Sequence, residues 1–120
     1  MKTVLVVEDE WAIADWLSAV LGDQGYSVLV ANNGRQALEL LRDHKPDLVI
    51  TDFMMPVMDG PALLRAMKLD GVAHTPVIVM SSLPEATVAE RCEGYRLFVR
   101  KPFREADLLR ALEQVWSAPG

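Results

Sequence analysis

Four places in the sequence hold residue types that could do chemistry together. They are Glu8-Asp9-Glu10, Asp52, Ser81-Ser82 and Arg100-Lys101-Pro102. Brought into one pocket they supply carboxylates, a hydroxyl and an ammonium. Clustered carboxylates raise each other's pKa unless a cation joins them. Acidic oxygens without histidine or thiol suit a hard cation, Mg²⁺ in a cell. A lysine beside such a site suits a phosphoryl oxygen. A carboxylate held this way, with no general base next to it, can itself be a nucleophile and form an aspartyl-phosphate. Each residue also has a plainer use. The acidic run could favour the positive end of a helix, Asp52 and Ser81 could cap turns, and Lys101 could be a solvated loop charge.

What sets the four apart is their place in the chain. Thr3–Val7, Ser27–Val30, Asp47–Thr51, Val77–Met80 and Arg96–Val99 read as strands, short and rich in β-branched residues. Between them run helical patterns: Glu10 to about Asp23 with Ile13, Leu17, Val20 and Leu21; a second from Asn32-Asn33-Gly34 with Ala37, Leu38, Leu40 and Leu41; a third opened by Asp59-Gly60-Pro61 with Leu63, Leu64 and Met67; a fourth over about Glu85 to Glu93; and a last from about Arg104 to Trp116 with Leu108, Leu109, Leu112 and Val115. Five strand–helix units in alternation predict a parallel sheet with helices on both faces. In such sheets ligands bind outside the carboxyl ends of the strands. All four candidate places fall at predicted strand ends, where chance would scatter them.

Composition bounds the rest. The 120 residues are 51% hydrophobic and 24% charged, ordinary for one globular domain, and one domain over 1–120 is expected, with 117–120 as a frayed tail. The net charge of −5 offers no basic field for nucleic acid. A lone cysteine, Cys92, excludes an internal disulfide and any multi-cysteine zinc site. No apolar run is long enough to span a bilayer. The expectation is a cytoplasmic protein without membrane contact. Cys92 reads as a buried apolar residue, and Met54, Met55 and Met58 as local packing. Trp11 lies near the pocket or on the first helix's surface. His44 and His74 fall at helix ends or loops and carry no assigned role.

In this context the chain resembles the receiver domains of two-component response regulators, of the chemotaxis-regulator type. The resemblance rests on Val6-Val7-Glu8-Asp9-Glu10, on Asp52-Phe53-Met54-Met55-Pro56-Val57-Met58-Asp59-Gly60, on Pro76–Ser81 and on Lys101-Pro102-Phe103, in the family's order. It implies a flavodoxin-like α/β fold, five parallel strands in the order 2-1-3-4-5 flanked by five helices. It implies that Asp52 accepts a phosphoryl group from a histidine kinase or a phosphotransfer protein. Mg²⁺ would be held by Glu8, Asp9, Asp52 and the backbone carbonyl of Met54, with Asp9 in direct contact. Ser81 and Lys101 would bind phosphoryl oxygens. Phe98 stands at the switch aromatic, and the Lys101–Pro102 peptide is expected cis. The phosphorylated face of fourth helix, fifth strand and fifth helix would be read by an effector protein or effector domain, with a phosphorylation-dependent dimer among the assemblies such domains form and no direct nucleic-acid contact. Such a domain is a signalling phosphoacceptor that catalyses its own phosphorylation and slow dephosphorylation, rather than an enzyme acting on another substrate.

Two departures accompany the resemblance. Only 20 positions separate Ser81 from Lys101, a shorter interval than the family leads one to expect, and the missing residues are placed in the fourth helix or its entry loop. Met54 and Leu83, each two residues beyond a site residue, are apolar. The altered fourth helix sustains an alternative, a receiver-like interaction module that works without phosphate. A small-molecule phosphatase with an aspartate nucleophile usually carries a second acid where Met54 stands. A flavodoxin would need a hydroxyl-rich loop after the first strand, which the sequence lacks.

Overall fold

The computed structural model describes residues 2–117. Five strands, β1 (Thr3–Val7), β2 (Ser27–Ala31), β3 (Leu48–Asp52), β4 (Val77–Ser81) and β5 (Leu97–Arg100), alternate with five helices, α1 (Trp11–Asp23), α2 (Gly34–His44), α3 (Gly60–Leu69), α4 (Glu85–Arg91) and α5 (Glu105–Ser117). All strand pairs are parallel, in the order β2-β1-β3-β4-β5. The expected strand order is the observed one.

Successive strand residues point to opposite sides of the sheet, and here both sides are apolar. Val4, Val6, Ile50, Ile78 and Met80 face one core with Leu17, Leu21, Leu108 and Leu112 from α1 and α5. Leu5, Val7, Val49, Val77 and Val79 face the other with Leu41, Leu63, Met67 and Val88 from α2, α3 and α4. Every residue of β3 and β4 is buried, whereas the edge strands β2 and β5 are partly open. Continuous apolar runs mark the strands with both faces covered. Each fully buried leucine or valine contributes on the order of 1.5–3 kcal/mol.

Caps place the helix starts. Asn33, the cap of α2, accepts the Gln36 amide on Oδ1 at 2.9 Å, and Gln36 Oε1 accepts the amide of the preceding residue, Asn32, at 2.7 Å. Asp59 Oδ1 accepts the Ala62 amide at 3.0 Å, with proline in the first turn. Two glycines are required by close approach. A Cβ on Gly34 would meet the Met58 side chain at 2.8 Å, and one on Gly60 would meet the Asp52 carbonyl oxygen at 3.0 Å.

Two expectations are corrected. The fourth helix ends at Arg91, not Glu93, because Cys92 leaves the helix in extended conformation and inserts its side chain into the core. Tyr95 then reaches back to donate its hydroxyl to Glu85 at 3.2 Å. Ser117, placed in the tail, is the last residue of α5; the rest of that tail lies outside the described residues.

Candidate functional site

The end of each ladder positions a site residue. Glu8 donates its amide to the Ala31 carbonyl at 3.0 Å, one rung past β1. Asp52 is the last residue of β3, and the next amide, Phe53, donates to Met80 at 2.8 Å. Ser81 ends β4, and its carbonyl accepts the Lys101 amide at 2.8 Å. The Lys101–Pro102 peptide is cis, as expected. Four strands thus deliver their ends to one place.

Glu8, Asp9 and Asp52 each offer a carboxylate oxygen, all within 4.8 Å of one another. Lys101 Nζ donates to Glu8 Oε1 at 3.0 Å and lies 3.2 Å from Asp52 Oδ2. Glu8 is fully buried and Asp52 nearly so, while Asp9 is exposed. The second oxygen of Glu8 accepts the Glu10 amide at 3.1 Å. Burial pushes the Glu8 carboxyl above its ordinary range, against the pull of Lys101 and the Glu10 amide. Burial likewise raises Asp52, with the Lys101 charge opposing it. At Lys101 burial acts downward, but the bond to Glu8 and the charge of Asp52 prevail and hold its pKa up. Among the described residues, two crowded carboxyls therefore share one ammonium, and the site is short of positive charge. Among the described residues its donors are hard oxygens with no nitrogen or sulfur ligand, so the set fits Mg²⁺.

The remaining expected residues are differently engaged. Ser81 is buried, and its Oγ accepts the Leu83 amide at 3.0 Å. Phe98 is half-buried against the core on the α2, α3 and α4 side. Met54 is not local packing: the residue is 61% exposed, unlike the buried Met55. Trp11 opens α1 on the surface. Cys92 is buried, and burial pushes its thiol up to about 11, which makes it inert at neutral pH.

Some contacts were not in the sequence reading. Arg100 donates Nε to the Ser82 carbonyl at 2.8 Å. Arg91, the last residue of α4, sits over the Phe53 ring at 5.5 Å from its centroid. A carbonyl partner carries no side-chain signal, so the first was invisible to any motif; the second needs α4 and β3 to be neighbours, which spacing does not show. The signals for Gly34 and Gly60 were present as turn residues, but not their role in admitting the loop after Asp52.

Comparison with known proteins places this geometry in a family. A family model for the response regulator receiver domain matches residues 4–113. The regulatory protein AtoC of Escherichia coli is 41% identical over 106 residues, which are 86% of this chain and 23% of that protein. The transcriptional regulatory protein PdtaR of Mycobacterium tuberculosis is 35% identical over 115 residues, 93% of this chain and 55% of that protein. The chain thus spans from about a quarter to just over half the length of these curated relatives. Among solved structures, the chemotaxis response regulator CheY4 of Vibrio cholerae superimposes with a TM-score of 0.90 at 30% identity, covering 96% of this chain and 98% of that one. The receiver domain of the sensor histidine kinase PA1611 from Pseudomonas aeruginosa, solved with a magnesium ion coordinated in its active site cleft, gives 0.87 at 28% identity over 96% of both chains. With the strand order and the family-model match over residues 4–113 in agreement, the chain belongs to the response regulator receiver domains of two-component signalling systems.

Proposed function

We propose that residues 1–120 act as one receiver domain that takes a phosphoryl group onto Asp52 from the phosphohistidine of a histidine kinase or phosphotransfer protein. One observation carries the reading. Asp52, at the end of a fully buried strand, lies in reach of both acidic neighbours and of Lys101 Nζ at 3.2 Å. An Asp52 carboxylate oxygen attacks phosphorus in line, the P–N bond to the donor imidazole breaks, and the imidazole keeps the bonding electron pair and takes a proton. Lys101 balances charge on the phosphoryl oxygens as it moves. Glu8, Asp9, Asp52 and the Met54 carbonyl would hold Mg²⁺, which when bound neutralises phosphoryl charge and orients it. The donor has a surface to meet: an apolar hollow of about 450 Å³, lined by Ile13, Trp16, Pro102 and Phe103, opens beside Lys101.

The new phosphate draws the Ser81 hydroxyl, Phe98 turns inward, and the α4–β5–α5 face changes for an effector protein or domain. A phosphorylation-dependent dimer through that face is compatible with this scheme. Among the described residues no helix is long and apolar enough to cross a membrane, and a cytoplasmic site of action follows from the proposed donor.

Incubation with Mg²⁺ and a small phosphodonor should add one phosphate by intact mass. Full labelling of Asp52→Asn would overturn Asp52 as the acceptor. The seven-residue α4 favours a second reading, an interaction module that needs no phosphate. Partner capture that is equal for wild type and Asp52→Asn, with and without phosphodonor, would favour that reading.

A further inference from the structure

Arg100 lies opposite Ser81 in the β4–β5 register and one residue before Lys101. The main-chain ladder stops there, at the bond from the Lys101 amide to the Ser81 carbonyl. Beyond it β4 gives way to Ser82, Leu83 and Pro84, which lead into α4. Arg100 adds one more rung with its side chain, donating Nε to the Ser82 carbonyl at 2.8 Å. Within the same stretch the Leu83 amide donates to Ser81 Oγ at 3.0 Å. One bond grips the loop from β5, and the other ties the Ser81 hydroxyl oxygen to its own loop.

Delivery of the Ser81 hydroxyl to a phosphoryl oxygen on Asp52 would carry with it the loop whose Leu83 amide Ser81 Oγ holds. If it moves as a unit, the Ser82 carbonyl must leave Arg100. A hydrogen bond from a charged donor is among the stronger kinds, so release has a cost that the phosphoryl group must offset. We propose that Arg100 is a positioning residue, a latch that holds the β4–α4 loop in its unphosphorylated arrangement and sets how readily Ser81 is delivered to the phosphorylated site. The latch rests on the reading of Asp52 as phosphoacceptor. Arg100 acts through Ser82 and Ser81, while the next residue, Lys101, holds Glu8 and Asp52. Arg100 itself is exposed and outside both cores, so its replacement removes no core packing.

The test measures binding of beryllofluoride, a phosphoryl mimic, by calorimetry in the presence of Mg²⁺. Four proteins are compared: wild type, Arg100→Met, Ser81→Ala and the double variant. Near-physiological ionic strength limits the screening length to about 8 Å, which mutes the mere loss of an exposed charge. Arg100→Met is expected to bind about fivefold more tightly than wild type, the lower end of ordinary coupling. In the Ser81→Ala background that gain should vanish, because no hydroxyl remains to be delivered. Equal or weaker binding by Arg100→Met overturns the latch. So does an equal gain in both backgrounds, which would mean that Arg100 acts on the pocket without Ser81. A wild-type protein that binds no beryllofluoride overturns the phosphoacceptor reading and the latch with it, an outcome distinct from the other two.

Discussion

At the scale of single residues, the side chain two positions beyond Asp52 has the most direct chemical consequence. Hydrolysis of an aspartyl-phosphate needs a water in line with phosphorus. A side-chain amide could orient that water by donating and accepting hydrogen bonds, whereas a thioether is only a weak acceptor. Met54 stands there with most of its surface exposed, and Leu83, half-buried, occupies the matching position after Ser81. Phosphorylated Asp52 should therefore lose phosphate more slowly than in a Met54→Asn variant. A barrier difference of about 1.4 kcal/mol makes the two rates differ roughly tenfold. Decay after removal of the donor, at fixed Mg²⁺, checks this; equal rates would show that Met54 does not govern the water. Asp9 gives a second prediction. It is the exposed member of the acidic trio and, unlike Glu8, is not paired with Lys101. Asp9→Ala should weaken Mg²⁺ binding at least tenfold, in keeping with the cost of losing a charged oxygen ligand. An unchanged tryptophan-fluorescence titration would refute it.

At the scale of elements, the connection from β3 to α3 carries local strain. Val57 has φ +72°, and the Met58 amide donates across it to the Pro56 carbonyl at 2.9 Å. That is a γ-turn centred on a β-branched residue, in backbone space such residues rarely enter. Val57 is 74% exposed, so little packing compensates. Val57→Gly, which removes the Cβ that makes positive φ costly, should raise stability by about 1 kcal/mol, the low end of typical strain costs. The urea midpoint should rise at unchanged m-value. Gly34→Ala should do the reverse, since its Cβ would collide with Met58 in the same loop. These details explain what was legible and what was not. The strands and helices could be read because periodicity and caps such as Asp59-Gly60-Pro61 are written in residue types. The meeting of Glu8, Asp52, Ser81 and Lys101 could be read because a parallel sheet gathers strand ends. The end of α4 was misplaced because Cys92 is pulled into the core by tertiary packing, which helical spacing does not encode. The Arg100 rung and the Val57 turn depend on backbone geometry, and the exposure of Met54 on a loop path; none of these leaves a sequence pattern.

At the scale of the whole molecule, the site is a place where folding and function oppose one another. The ends of β1 and β3 bring Glu8 and Asp52 together inside the protein with the Lys101 ammonium between them. Burial raises both carboxyls above their ordinary values of 4.5 and 3.8. A carboxyl raised in the folded state keeps its proton at a pH where the unfolded chain has lost it. Between the ordinary and the raised values the folded state binds more protons, so stability falls as pH rises. The contribution is fully present below the ordinary carboxylate range and is lost as pH climbs through the raised values. Asp107, lowered mainly by the Arg104 amide, has the opposite sign. Comparison of wild type with Asp52→Asn cancels that background, since Asp107 is unchanged between them. Without metal, wild type should therefore lose stability relative to Asp52→Asn as pH rises from acid to neutral. Mg²⁺, which needs the deprotonated oxygens, should reverse the trend over the same window. At a hundredfold excess over its dissociation constant it adds about 2.7 kcal/mol. That gain should fade as pH falls through the raised values and should be smaller in Asp52→Asn. Urea midpoints across this pH range, with and without Mg²⁺, decide the matter. A metal-free wild type that gains stability over Asp52→Asn with rising pH would show that Lys101 alone satisfies both carboxylates.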